Sequence, residues 1–179
     1  MVALDNLILI NHYDIKLHFS VNTPDPMLQN VAFDRIKFFY SNVFNNSILI
    51  GSDNKKLDSF KTLFPANNFI ELPADPVDYY LAQSLWAKTN KITGGNMSIS
   101  ILELSSDMSD GVNFVADGGD MEILHNPEVK RPWWTSETPK TNLFQDFSPW
   151  KQFGLEFEQE HLTKSKKPAR IIKVKIGRA

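Results

Sequence analysis

The chain has 179 residues, a length typical of a single domain. Hydrophobic residues make up 42% of it and charged residues 22%, which excludes a disordered, collagenous or coiled-coil protein. The absence of cysteine excludes disulfides, thiolate metal sites and a cysteine nucleophile. The longest apolar run, Leu7 to Ile10, is far below the ~20 residues of a membrane helix. No secretory signal pattern is present, so we expect a cytoplasmic protein.

The charge of the chain is unevenly distributed. Residues 164 to 179 carry seven basic and no acidic side chains. Because the net charge of the whole chain is −2, residues 1 to 163 have a net charge of −9. An acidic body with a basic end is typical of proteins that contact a polyanion. The alternative is that the basic end lies on its own acidic body and neutralises its field.

The first elements follow from periodicity. Alternating apolar residues predict a strand over Tyr13 to Val21, which Leu7 to Ile10 could extend. Asp25-Pro26 then forms an N-cap and first helical position. Apolar residues spaced by three and four predict the helix that follows, with one buried stripe. The members of that stripe are Leu28, Val31, Ala32, Ile36, Phe39, Tyr40 and Val43.

The middle of the chain contains shorter elements. Ser47 to Ile50 and Phe69 to Leu72 are predicted strands, separated by a weaker helix that ends at Pro65. Asp75-Pro76 has the residues of a second N-cap. The helix after it places Val77, Tyr80, Leu81, Ser84, Leu85 and Lys88 in line and ends at Gly94-Gly95.

Three further strands are predicted after this helix. Met97, Ile99 and Ile101 alternate with serines in the first of them. Val112 to Ala116 and Met121 to His125 have the pattern of a hairpin across Asp117-Gly118-Gly119-Asp120. The order predicts an α+β fold: a two-layer sandwich in which two main helices cover one face of a mixed or antiparallel sheet.

We divide the chain into three parts: a core domain over 1–125, an irregular wrapping segment over 126–163 and a basic arm or terminal strand over 164–179. The middle part is rich in aromatic residues, unlike a free linker, and we expect its rings to insert into grooves of the domain. In the last part, Ile172, Val174 and Ile176 alternate with lysines. Such a strand completes its own sheet or adds to an edge of another chain.

Two short histidine motifs are the sharpest catalytic signal. His18-Phe19-Ser20-Val21 and His161-Leu162-Thr163-Lys164 resemble the paired motifs of two-histidine phosphodiesterases, which act on cyclic or 2′,3′-phosphodiesters. The resemblance implies that His18 and His161 are the acid and base, with Ser20 and Thr163 binding phosphate oxygens. Lys164 departs from the pattern, and nearby glutamates would repel a phosphodiester. The alternative is two unrelated histidines.

Other site chemistries receive little support from the sequence. Five acidic residues between Asp107 and Glu122 lack the spacing of a calcium loop and suit turns. The four histidines contain no pair at metal-ligand spacing on a helix. No phosphate-binding glycine loop is present. We therefore predict no metal site and no cofactor, and treat enzymatic activity as open but less favoured.

The remaining candidate is a binding surface. Trp133 and Trp134 together with the basic chain end are typical of single-stranded nucleic-acid binding or of anchoring to a protein. The alternative is that both rings pack on their own domain. The basic candidates for this surface are Lys166, Lys167, Arg170, Lys173, Lys175 and Arg178.

Several stretches are similar to small uncharacterised proteins of large tailed phages. They are NHYDIKLHF, NVAFDRIKFFYSNVFNNSILIG, LPADPVDYYLAQSLWAKTNK and ISILELSSDMSDGVNF. The resemblance implies a phage product in the host cytoplasm or the virion, and it transfers no activity and no functional residue.

Our leading hypothesis is a non-enzymatic binding or assembly protein that engages a protein partner, or a second copy, through its basic C-terminal arm. The alternatives are a two-histidine phosphodiesterase and a single-stranded nucleic-acid binder.

Overall fold

The computed structural model describes residues 1–125 and 132–138, together with the backbone of a strand over 172–176. It confirms an α+β fold, in which the strands form two four-stranded sheets. The strands are β1 Val2–Leu4, β2 Leu7–Leu9, β3 Tyr13–Val21, β4 Ile48–Gly51, β5 Phe69–Leu72, β6 Met97–Ser106, β7 Phe114–Ala116 and β8 Ile172–Ile176; the helices are α1 Pro26–Phe38, α2 Leu57–Leu63 and α3 Asp78–Ile92.

The first sheet has the order β2-β1-β4-β5 and is mixed. β1 pairs with β2 antiparallel and with β4 parallel, and β4 pairs with β5 parallel. All four residues of β4 are buried, as expected for a parallel strand covered on both faces. A small core that contains Phe60 of α2 covers one of these faces.

The second sheet has the order β7-β6-β3-β8 and is antiparallel throughout. The predicted bounds of β3 are confirmed, and Ile15, Leu17, Phe19 and Val21 are buried while the residues between them face outward. The main core joins this apolar face to one face of the first sheet and to α1 and α3. The other face of the second sheet carries the polar residues of β3 and β6.

Helix α1 begins as its sequence predicts. The Asp25 side chain accepts a hydrogen bond from the Met27 amide and Pro26 occupies the first turn, so a donor left free at the helix start is satisfied. The predicted stripe continues through a π-helical turn over Phe39–Phe44. Phe39, Tyr40 and Val43 are buried there.

Two predictions about the ends of elements are wrong. Leu7 to Ile10 does not extend β3, because a turn at Asp5, whose φ is 49°, folds β2 back on β1 in the other sheet. Asp75 does not cap α3: the N-cap residue is Val77, with no side-chain hydrogen bond, and the Val77 amide donates instead to the backbone oxygen of Asp75.

The predicted hairpin after β6 is also wrong. β7 pairs with β6, but Met121–Leu124 is a 3-10 helix rather than a second arm. Leu124 is buried in the core from this helix, so burial of its side chain is achieved without strand pairing. Among the described residues, no helix combines the length and apolar character needed to cross a bilayer.

The second sheet contains a β-bulge at Ser100. His18 is opposite Ile101 and Phe19 is opposite Ile99, so Ser100 is the extra residue of β6. Its hydroxyl donates to the His18 carbonyl oxygen at 3.0 Å. Because one residue is inserted, the buried positions of β6 change from Met97 and Ile99 to Leu102 and Leu104.

Candidate binding face of the antiparallel sheet

A group of polar side chains meets on the outward face of the second sheet, around Glu103. The Glu103 carboxylate accepts a hydrogen bond from Nε2 of His18 at 2.8 Å and lies 3.4 Å from Nζ of Lys16. The Asn113 amide also donates to it at 3.4 Å. Lys16 and Glu103 are directly opposite each other in the register, which explains why three polar groups converge on one carboxylate.

The electrostatics of this group follow from its contacts. The hydrogen bond from His18, with smaller contributions from Lys16 and Asn113, lowers the pKa of Glu103 below its ordinary value. The imidazole of His18 is one-third exposed, and the Lys16 side chain is about half exposed. The cluster, which we call the Glu103 cluster, thus joins an ionised carboxylate to two groups that still contact solvent.

The C-terminal strand lies beside this cluster. β8 pairs antiparallel with β3, and Lys173 and Lys175 are opposite His18 and Lys16 in the register. Residues directly opposite each other in a sheet belong to the same face. The register therefore places two lysine positions next to the Glu103 cluster, while the apolar positions 172, 174 and 176 are opposite the buried Phe19, Leu17 and Ile15.

The predicted phosphodiesterase residues are placed only in part. His18 lies in the Glu103 cluster, and Ser20 is exposed on the same face, two residues along β3. His161 and Thr163 lie outside the described residues. The pairing of the two histidines therefore stays a prediction, as do the placements of Lys166, Lys167, Arg170 and Arg178.

Both predicted tryptophans are buried against their own domain. Trp133 is 6% exposed and Trp134 is 2% exposed. Trp133 stacks on Phe39 at a centroid distance of 6.3 Å, and its indole nitrogen donates to the Glu71 carbonyl oxygen at 2.7 Å. The two rings therefore pack on their own domain, which is the alternative to a binding surface, and they are not available to a partner. The core also includes residues beyond 125.

The acidic residues around 107–122 serve turns and local pairs. Asp117 accepts a hydrogen bond from the Gly119 amide, and Asp120 accepts one from the Tyr79 hydroxyl. Asp107 pairs with His12 at 2.7 Å. Within the described part of the chain, no three His, Asp or Glu side chains are arranged to hold a metal ion.

The sequence did not identify Glu103 as the centre of the outward face. Its contacts come from β3, more than eighty residues earlier, and depend on a register that the bulge at Ser100 alters. A usable signal was present nevertheless: β3 carries Lys16 and His18 on one face, and Glu103 stands among apolar and serine residues of β6. A single acidic residue there suggests a cross-strand partner.

No protein-family model and no curated protein sequence matches this chain.

Proposed function

We propose that the chain is a non-enzymatic binding protein whose basic C-terminal segment engages an acidic protein surface at the outward face of the second sheet. The observation that carries this proposal is the register of β8. It sets Lys173 and Lys175 opposite His18 and Lys16, so two basic positions of the chain end adjoin two cationic or titratable groups of the body.

Charge supports an anionic partner. The body over residues 1 to 163 has a net charge of −9, so an anion approaching at random is repelled, whereas residues 164 to 179 contribute seven positive charges. Electrostatic forces act over about 8 Å at physiological salt. A basic patch held against the sheet therefore gives an acidic partner one preferred direction of approach.

The chemistry of the face favours a protein over a single-stranded nucleic acid. Bases are held on aromatic platforms, yet both tryptophans are buried, and the described outward positions of β3, β6 and β7 include no aromatic residue. Half-exposed Lys16 and one-third-exposed His18 instead offer ionic and hydrogen-bonding contacts, which need no stacked base. The tailed-phage resemblance is compatible with an assembly role of this kind.

The test reverses charge on β8 in the full chain. The variant Lys173→Glu/Lys175→Glu is compared with Lys55→Glu/Lys56→Glu, which makes the same charge change at two exposed lysines before α2. The probes are poly-L-glutamate and an oligothymidylate, titrated at several salt concentrations. Hydrogen exchange of the β3 amides checks that β8 remains paired with β3 in the variant. A deletion of residues 164 to 179 would remove the strand together with its charges, so it could not separate the two effects.

We expect the β8 variant to bind poly-L-glutamate at least about tenfold more weakly, because two attractive contacts become repulsive, and the control variant to change it less than about threefold. Equal losses in both variants would show a general charge effect and refute the proposal. Tighter binding of the oligothymidylate than of poly-L-glutamate, weakened by Lys173→Glu/Lys175→Glu, would refute it in favour of nucleic acid at this face.

A further inference from the structure

A cavity lies apart from the Glu103 cluster, where the start of β3 meets the π-helical turn. Its volume is about 440 Å³, within the range of small-molecule sites. One wall is formed by Asn11, His12 and Tyr13, and the opposite wall by the turn over 39–44 and the loop over 45–47. We call it the turn cleft.

The lining of the turn cleft combines apolar side chains with amides and hydroxyls and carries no acidic, lysine or arginine side chain. Among the described residues that line it there is no Asp, Glu, Lys or Arg. Amide and hydroxyl groups dominate the polar part, contributed by Asn11, Asn45, Asn46, Ser41 and Ser47. The α-ammonium of Met1 also lines the cleft, but it already donates to the Ser47 carbonyl oxygen at 2.9 Å, and burial lowers its pKa. With no carboxylate, lysine or arginine side chain beside it, the lining favours an uncharged ligand with hydrogen-bonding groups over an ion.

Three aromatic rings stand along the turn cleft. Phe44 lies between Tyr13 and Tyr40, with centroid distances of 6.1 Å and 6.0 Å. The Tyr40 hydroxyl is already paired with Thr89 at 2.9 Å, so this ring offers packing area rather than a hydrogen bond. Phe44 is half-buried and retains exposed ring surface. Such an array packs well against a flat ring.

The buried wall holds hydrogen-bonding capacity that the described chain does not use. Asn11 is 8% exposed, and its Oδ1 atom has no hydrogen-bond partner among the described residues. A buried polar atom without a partner costs about 1–3 kcal/mol. Asn11 also borders a second cavity of about 250 Å³. Small rearrangements of this side chain would present an amide to either cavity.

Two backbone features belong to the same cleft. The turn over Phe39–Phe44 has π-helical hydrogen bonding, which occurs frequently at functional sites. Asn46 adopts a φ of 58°, in a left-handed region that asparagine tolerates better than most residues. The π-helical turn and the left-handed Asn46 end the helix at the cleft. Ser41, Asn45 and Asn46 therefore line the cleft.

We infer that the turn cleft binds a nucleobase or nucleoside, an uncharged planar ring with amide and amine groups along its edge. Asparagine amides pair with the donor and acceptor edge of a base, and tyrosine and phenylalanine pack against its faces. Asn45, Asn46 and Asn11 supply the amides, while Phe44 and Tyr13 supply aromatic surface. His12, exposed and held by Asp107 at 2.7 Å, also lines the cleft.

The experiment uses the full chain and four nucleosides, with ribose alone as a control. Amide cross-peaks in ¹H–¹⁵N spectra are followed up to about 10 mM ligand. The blocking variant is Ser41→Trp, at an exposed position that lines the cleft. The matched control is Asn42→Trp, at the next residue of the same turn, which is exposed and does not line it.

We expect at least one nucleoside to shift the peaks of residues 11–13 and 40–47, with at least about tenfold weaker binding to Ser41→Trp and less than about twofold change in Asn42→Trp. Asn45→Ala, at an exposed position, should weaken binding without unfolding the chain. The proposal is overturned if no nucleoside shifts these peaks, if ribose alone shifts them equally, or if Ser41→Trp binds as well as the wild type.

Discussion

The ammonium group of Lys88 lies 2.9 Å from the carbonyl oxygen of Trp133, 45 residues further along the chain. It also donates to the carbonyl oxygens of Ser136 and Thr138. Lys88 is fully buried in α3, and among the described residues these three carbonyl groups stabilise its charge in place of water. One side chain thus fixes the segment over 132–138 to the body.

Replacing Lys88 by Met tests this role. Methionine has a similar length, but it leaves the three carbonyl oxygens without this donor, and we expect a loss of about 2–4 kcal/mol in the free energy of unfolding. Lys91→Met, at an exposed position of the same helix, should change it by less than about 0.5 kcal/mol. Urea unfolding followed by tryptophan fluorescence measures both. Equal losses would contradict the argument.

The stability of the protein should depend on pH through Lys88. Burial lowers the pKa of Lys88 from 10.5 to about 7. Above pH 7 the unfolded chain therefore binds more protons at this residue than the folded chain does, and the free energy of unfolding rises with pH. The slope approaches about 1.4 kcal/mol per pH unit and vanishes below the folded pKa, where both states are protonated.

The measurement is a series of urea titrations from about pH 6 to 9.5. Higher pH is avoided because burial raises the pKa values of Tyr13 and Tyr40; their stabilising effect is lost once the unfolded tyrosines ionise near pH 10. Lys88→Met should lose most of this rise and keep only the smaller part that comes from the Met1 α-amino group, whose pKa burial also lowers below its ordinary value of 8.0. A rise of the same slope in this variant would assign the effect to another group.

Gly118 should tolerate no side chain. Its φ is +88°, and a Cβ atom there would lie 2.5 Å from the Trp86 ring. Gly111 has a similar φ of +81° but open space around it. Both alanine variants incur backbone strain of about 1 kcal/mol, and Gly118→Ala should cost at least about 1–3 kcal/mol more because the ring must move. Equal costs, measured by urea unfolding, would show that Trp86 yields freely.

Local patterns predicted the elements whose causes are local. The alternation of β3 and the Asp25-Pro26 cap of α1 depend on neighbouring residues, and both are confirmed. The bulge at Ser100 was missed because the alternation of Met97 and Ile99 ends there, and the shift becomes visible only against β3. The pairing of Leu7–Leu9 with β1 in the first sheet depends on a turn at Asp5 that a short apolar run does not reveal.

The sequence placed Lys88 in line with Leu81 and Leu85, which correctly implies an inward position. It gave no indication of what a charged group would contact there, since its acceptors are backbone carbonyl oxygens and carry no residue signature. The turn cleft was missed for a related reason. Its walls come from β3 and from a π-helical turn. The apolar stripe from Leu28 to Val43 has the spacing of one continuous α-helix, so it does not indicate the change from α-helix to π-helix at Phe39.

The attachment of Trp133 and Trp134 to α3 bears on how the chain matures. A ribosome that has produced β7 has not yet produced the rings that cover Phe39 or the carbonyl oxygens that receive Lys88. Until then the Phe39 ring lacks its cover, and water rather than these carbonyl oxygens solvates the Lys88 ammonium group. The segment over 132–138 therefore completes this side of the core only after β7 has been synthesised.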